Sequence, residues 1–229
     1  MPREIILDSS TLISISEKCM SKIITQLSEK EGIVFIIPES VYYESVKHPM
    51  EIKRFEFNAI RINEMVKKGI IKIANSDAAL KETMEKIKEC ANSIYHFDGQ
   101  SLHILHDGEC EMLALAKNRN VNVLAVDERT TRMLVENPQP LRNFLARRYG
   151  TNLKIDSFHM DLFKQYVSGI SVILRSVELI SLAYDRNCFD GELPTSPEAL
   201  ESALFALKYA GCAVSADEIL RYMRERNEN

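Results

Sequence analysis

Two aspartates stand immediately after short apolar runs: Asp8 follows EIIL, and Asp127 follows VLAV. Ligands of open α/β sheets bind beyond the carboxyl ends of the strands. If both runs are parallel strands, both carboxylates emerge at one edge of the sheet. Two further acids join them on that reading. Glu44 lies in the helix after a second run, IVFII, and Glu109 lies in the first turn of the helix leading into VNVLAV. Four carboxylates facing one cleft raise each other's pKa unless protons or cations offset the repulsion. A hard divalent cation resolves the conflict: Mg2+ or Mn2+ takes one or two carboxylates and fills its shell with waters and substrate phosphate. Such a site suits phosphodiester hydrolysis, with one ion at the attacking water and a second at the leaving oxygen. Each acid also has an ordinary reading as a helix cap, a turn residue or a solvated helix face. The residues alone leave both readings open.

The elements that must hold these acids show as an alternation of patterns. Residues 3–7, 33–37 and 121–126 are apolar runs rich in β-branched side chains, as in strands buried on both faces, and IIKIA at 70–74 reads as another. Helical stretches separate them: ESVYYESVK with Pro38 in its first turn, residues 51–68, a charged helix opened by Asp77, and ECEMLALAKN at 109–118, started by Asp107 and Gly108. This βαβα order predicts an α/β domain with a parallel sheet over residues 1–150. Past Gly150 the pattern changes. One strand, LKI, and helices near 157–167, 170–184, 197–210 and 215–226 predict a mostly helical C-terminal extension over 151–229, with RERNEN fraying at its end. Its acids, Asp156, Asp161, Glu178, Asp185 and Asp190, follow no buried parallel strand and are expected to stay out of the cleft.

Composition narrows the class. The 229 residues are 45% hydrophobic and 27% charged, which is enough to bury a core and unlike a disordered chain. The first ten residues lack a signal-peptide core, and no stretch approaches the roughly 20 apolar residues of a membrane span. Five scattered cysteines without a CxxC pair suggest neither a disulfide framework nor a zinc knuckle, so a reducing cytoplasm is the expected setting. A net charge of −4 speaks against wrapping nucleic acid by charge alone, but leaves room for a local basic rim. No glycine-rich phosphate loop is present, so no nucleotide cofactor is implied. His103 and His106, three apart, read as capping or core-edge residues, since no distant Cys or His cluster completes a metal pair.

The segments IILDSSTLISI, PESVYYESV and GECEMLALAKNRNVNVLAVDERTTRML, in that order, resemble the PIN-domain family over roughly residues 3–145. The resemblance implies a three-layer α/β/α sandwich with a parallel sheet, and a Mg2+- or Mn2+-dependent ribonuclease. Carried over, the family's four acids fall at Asp8, Glu44, Glu109 and Asp127. The third is Glu here, as in a GExE subgroup, and Glu111 is a second glutamate in that motif. On a helix, residues 109 and 111 point roughly 200° apart, which favours Glu109 as the ligand and leaves Glu111 at the flank. Ser9 and Thr11 match positions where the family often has a hydroxyl that orients a metal water or touches phosphate; as residues they also read as a helix cap. Arg129 and Arg132, at helical spacing beside the last acid, are candidates for phosphate contact or ordinary surface arginines. Lys67–Lys68 and Arg147–Arg148 are further candidates for the basic rim.

The partners implied are RNA as substrate, an antitoxin or other protein partner as in toxin–antitoxin pairs, and a second copy in a homodimer. The competing class is an RNA-binding or scaffold PIN-like module with little or no cleavage. Phosphotransfer readings fit less well: Asp8 lacks the paired acid of receiver domains, and DSS replaces the DxD of haloacid-type phosphatases.

Overall fold

The computed structural model describes residues 3–228, the side chain of Asn227 excepted. The chain opens with β1 (Arg3–Leu7), whose branched apolar residues pack on a pleated surface. Asp8 stops it: its extended backbone and side-chain oxygen cap α1 (Ser9–Glu17). Next come α2 (Ser21–Glu31) and β2 (Ile33–Pro38). The regular helix expected after β2 is not found. α3 (Glu39–Tyr42) runs into a π-helical turn (Tyr43–Lys47) and then α4 (His48–Met50). Pro38 ends the strand and sits at the N-cap of α3 instead of inside its first turn. The π turn, a rare form that is frequent at functional sites, carries Glu44.

α5 (Lys53–Lys67) and β3 (Ile71–Ala74) match the sequence reading, as does α6 (Ala78–Ala91), whose cap Asp77 accepts from Leu80 N at 2.8 Å. A hairpin not read from the sequence follows, β4 (Tyr95–Phe97) and β5 (Gln100–Ser101). It turns on Asp98 and Gly99, at φ 48° and 80°, the left-handed pair that an Asp-Gly hairpin turn requires. Then come α7 (Asp107–Arg119), β6 (Val123–Ala125), α8 (Arg129–Glu136), α9 (Pro138–Tyr149), β7 (Lys154–Ile155) and α10 (Ser157–Val167). The chain finishes with β8 (Val172–Leu174), α11 (Ser176–Asp185), α12 (Pro197–Ala210) and α13 (Ala216–Asn227).

Five strands form one sheet in the order β3-β2-β1-β6-β8, every neighbouring pair parallel. The order turns back at β1, so the crevice between β1 and β6 is the switch point where such sheets bind ligands. Alternate side chains of each strand enter different cores. Ile5, Leu7, Phe35, Ile37 and Ala125 join one cluster; Ile6, Ile36, Leu124 and Val126 join the other. The result is the expected α/β/α sandwich, with an added antiparallel sheet β5-β4-β7 that contains the LKI strand.

The stretch 170–184 is not a single helix. Val172–Leu174 forms the edge strand β8, paired to β6 through Leu124↔Ile173, and only Ser176 onward is helical. A three-residue apolar run looks the same in a buried strand and a buried helix, so periodicity could not separate them. The packing shows no break at residue 150: Val177, Leu179, Ile180, Leu200, Leu204 and Ile219 lie in the same cluster as Ile5 and Phe35. At the end of the chain α13 continues through Asn227, into the RERNEN stretch; Asn229 is outside the described residues.

Candidate metal centre

Asp8 leaves the end of β1 at the switch point, and only 5% of it is exposed. Its backbone N–H still donates to Ala125 O of β6 at 2.9 Å, which fixes the direction of the side chain. Its Oδ2 accepts from the backbone N–H of Ser10 at 3.1 Å and from the Ser10 hydroxyl. Burial pushes the Asp8 carboxyl above the ordinary carboxylate range; the Ser10 and Ser9 hydrogen bonds oppose this, and the charge of Glu44 adds to it. Ser10 is therefore the hydroxyl that touches the first acid. The sequence pointed to Ser9 and Thr11. Ser9 contributes through its backbone, while the Thr11 hydroxyl is buried in α1 and, among the described residues, has no hydrogen-bond partner.

Glu44 reaches the same edge from the π turn. Its carboxylate lies against the N-terminus of α7, so close that a Cβ on Gly108 would stand 2.9 Å from Oε1. Glu109, one residue further along α7, is half-buried. Its Oε2 accepts from His106 N–H at 2.7 Å and its Oε1 from the Thr131 hydroxyl of α8 at 2.8 Å. Burial raises its carboxyl above the usual range, those two hydrogen bonds lower it, and the charges of Glu128 and Asp8 raise it again. Glu111 points elsewhere: at 6% exposure it accepts from Ser40 N–H at 3.0 Å and so anchors α3, the helix that leads into the π turn. Asp107 pairs with Lys88 at 2.6 Å. His106 occupies the N-cap of α7, a capping position as read from the sequence.

Asp127 behaves differently. It is 1% exposed, with Oδ1 accepting from Ser176 N–H at 2.6 Å and Oδ2 from the Ser176 hydroxyl at 2.7 Å. Both oxygens thus cap the start of α11. Burial, together with the negative charge of Asp127, pushes the nearby Cys212 thiol up to about 12, so it stays protonated. Ala213 N–H reaches Asp127 O at 3.3 Å, and the buried Arg175 ties Ala213 O to Glu178 and Glu218. The sequence reading aimed this carboxylate at the cleft with the other three; in the structure each of its oxygens accepts one hydrogen bond from Ser176. What joins Asp127 to the first acid is its backbone N–H, which donates to the Ser10 hydroxyl at 3.3 Å. The acid whose charge reaches Glu109 from this segment is Glu128, which also caps α8 at Thr131 N–H, 2.7 Å away. Sequence reasoning missed Ser10, Thr131, Ser176 and Glu128.

The basic candidates are spread out. Arg129 lies over the Phe144 ring at 5.5 Å, and half-buried Arg132 acts on Glu218, with a buried Nε that has no partner among the described residues. Lys67 pairs with Glu64 at 2.8 Å. Among the described residues, no three of His, Cys, Asp and Glu close on one point. Still, the donors at this edge are carboxylate oxygens, and the charges acting on them are largely those of other acids. That set fits a hard divalent ion, which needs few protein carboxylates. Asp8, Glu44 and Glu109 are the residues that would hold it.

The class defined so far is an open parallel α/β/α sandwich with buried acids at its switch point. Residues 4–139 match the sequence model of the DUF3368 family, described as a PIN domain. The chain belongs to this PIN-domain family, whose fold is nuclease-like and whose members typically use divalent metal ions. No curated protein and no solved structure matches it. No helix among the described residues is long and apolar enough to cross a membrane.

Proposed function

We propose that the chain is a Mg2+- or Mn2+-dependent endoribonuclease, with Asp8, Glu44 and Glu109 holding the ion beside the scissile phosphate. The observation that carries this is the pair of carboxyls of buried Asp8 and half-buried Glu109, raised in pKa by burial and further by the acids beside them. Buried charges are ordinarily paired or bound to metal. A bound divalent ion would offset that repulsion and polarise the phosphoryl oxygens. Ser10 orients Asp8, Thr131 orients Glu109, and Glu111 sets the helix that delivers Glu44. Hydrolysis on this reading leaves a 5′-phosphate and a 3′-hydroxyl. A cytoplasmic setting and an antitoxin-type or second-copy partner belong to the same proposal.

One observation favours the alternative of an RNA-binding module with little cleavage: both oxygens of Asp127, the family's fourth acid, accept hydrogen bonds from Ser176. A single assay separates the two. Purified full chain with Mn2+ is expected to cut generic RNA, and EDTA to stop it. Binding without cleavage in Mn2+ would decide for the module.

A further inference from the structure

α11 and α13 both pack on α12 and form the two walls of a cavity of about 450 Å3. Buried Val177, Leu204, Val214 and Ile219 give it an apolar floor. Ion pairs cross the gap at each end. Arg175, at the start of α11, reaches Glu218 of α13 at 2.5 Å, and Arg226, near the end of α13, pairs with Asp185 at the end of α11. The walls are thus tied to each other at both ends, and the space between them is preformed. Its lining lies wholly past residue 139, where the family match ends, and none of it belongs to the acid-lined edge.

Size and charge together select the occupant. Ligand pockets run from roughly 300 to 1,000 Å3, which admits a compact molecule here, whereas a partner helix laid along the floor would meet an ion pair at either end. The mouth is acidic. Glu178, Asp185, Glu218 and Glu225 line it against one exposed guanidinium, Arg221; the other lining arginine, Arg175, is only 7% exposed. Glu218 is the best placed of the four. Its Oε1 accepts from Arg175, no hydrogen bond among the described residues uses its Oε2, and a carboxylate has room for about four donors. The Arg175 hydrogen bond also holds the Glu218 carboxyl below the usual range, against the effect of burial. About one turn along α13 the Tyr222 ring lines the same wall, and aromatic faces attract cations.

We propose that this cavity binds a small amphiphilic amine, its apolar body on Val177, Leu204 and Ile219 and its single ammonium group at Glu218. The site is separate from the metal centre and stands whether or not the chain cuts RNA. The probe is dansylcadaverine, a naphthalene ring on a chain ending in a primary amine, added to the full chain and followed by fluorescence anisotropy. Binding is expected, with a blue shift in emission as the ring leaves water. The N-acetylated probe keeps the body and loses the charge; it should bind about tenfold more weakly, the order of one hydrogen bond to a charged group. Glu218→Gln should weaken the amine by the same factor and leave the acetylated probe unaffected. Ser181→Phe, which puts a ring into the cavity from α11, should abolish binding of both, with thermal melting confirming the fold. The two probes compare charge with no change to the protein, so the test stands even where a variant fails to fold. Equal affinity for the two probes, no binding by the wild type, or undiminished binding by folded Ser181→Phe overturns the proposal. So does displacement of the amine by Mn2+, which would place it at the acid-lined edge. A dimer lost in Ser181→Phe, with the amine unbound by the wild type, would give the cavity to a second copy and overturn it too.

Discussion

Ser10 separates two acid-bearing regions that share a sheet edge and treat charge in opposite ways. On one side, the charge of Glu44 acts on Asp8 and that of Asp8 on Glu109, and both of these carboxyls are raised. On the other, Asp127 has a serine N–H and hydroxyl on its two oxygens, and Arg175 joins the surrounding chain. The first region is left short of positive charge and is suited to a ligand. The second is satisfied by the protein and ties the C-terminal helices to the sheet. Two aspartates placed alike after parallel strands therefore meet different surroundings, set by what the rest of the chain brings to each.

The largest effect that would break this contrast is on cleavage. Glu109→Gln keeps the shape and the contacts to Thr131 and His106 but removes the charge. RNA cleavage in Mn2+ is expected to fall about 1,000-fold, roughly 4 kcal/mol in the barrier, with the circular dichroism spectrum unchanged. Glu111→Gln, acting only through Ser40 and α3, should cost about tenfold; the reverse ranking would put the wrong glutamate on the open side.

Asp127→Ala comes next. It deprives Ser176 of acceptors for both N–H and hydroxyl, and urea unfolding in EDTA should show about 3 kcal/mol of lost stability. A fully stable variant that fails to bind Mn2+ in calorimetry would instead move Asp127 to the ligand side. Ser176→Ala sharpens the same point at about 1–2 kcal/mol, with metal affinity unchanged.

Asp8→Asn should do the opposite of Asp127→Ala. Asn caps a helix about as well as Asp, and it removes a buried charge, so thermal melting in EDTA should rise while stabilisation by Mn2+ disappears. The smallest effect is on pH. The folded-state carboxyls of Asp8 and Glu109 lie above their unfolded values, so the metal-free fold binds more protons there than the unfolded chain does. Their contribution is fully present below the ordinary range near 4 and is lost as pH rises through the raised values. Mn2+ affinity should run the other way, falling as pH drops through those raised values, because ligands must be ionised. Titrations at several pH values that show no such opposition would count against charge strain on the open side.

The sheet was legible, as were the placing of Asp8 at a strand end and of Glu109 in a first helical turn, because these depend on neighbours in sequence. Asp8 ends an apolar run, and Glu109 lies in the first turn of a helix capped by the adjoining His106. The orientation of Asp127 was not legible, since Ser176 lies 49 residues away. Ser10 was hidden among three consecutive hydroxyl residues, only one of which the turn aims at Asp8. The π turn leaves no compositional mark. The Asp98–Gly99 hairpin, by contrast, carries a readable dipeptide signal, but the short strands around it bury little and show no period. β8 was lost because three apolar residues are too few to show a period.

That edge strand sets the difference between the recognisable unit and the foldable one. The family match stops at residue 139, but cutting the chain there would strip β8 from β6, bare a row of unpaired backbone groups, and uncover the cluster that α11 and α12 fill. Open edges of that kind recruit other strands. A fragment trimmed to the matched residues should therefore come out of expression as aggregate. The practical unit for anyone making this protein is the chain through α13, whose last helices act as the lid on a sheet they do not resemble.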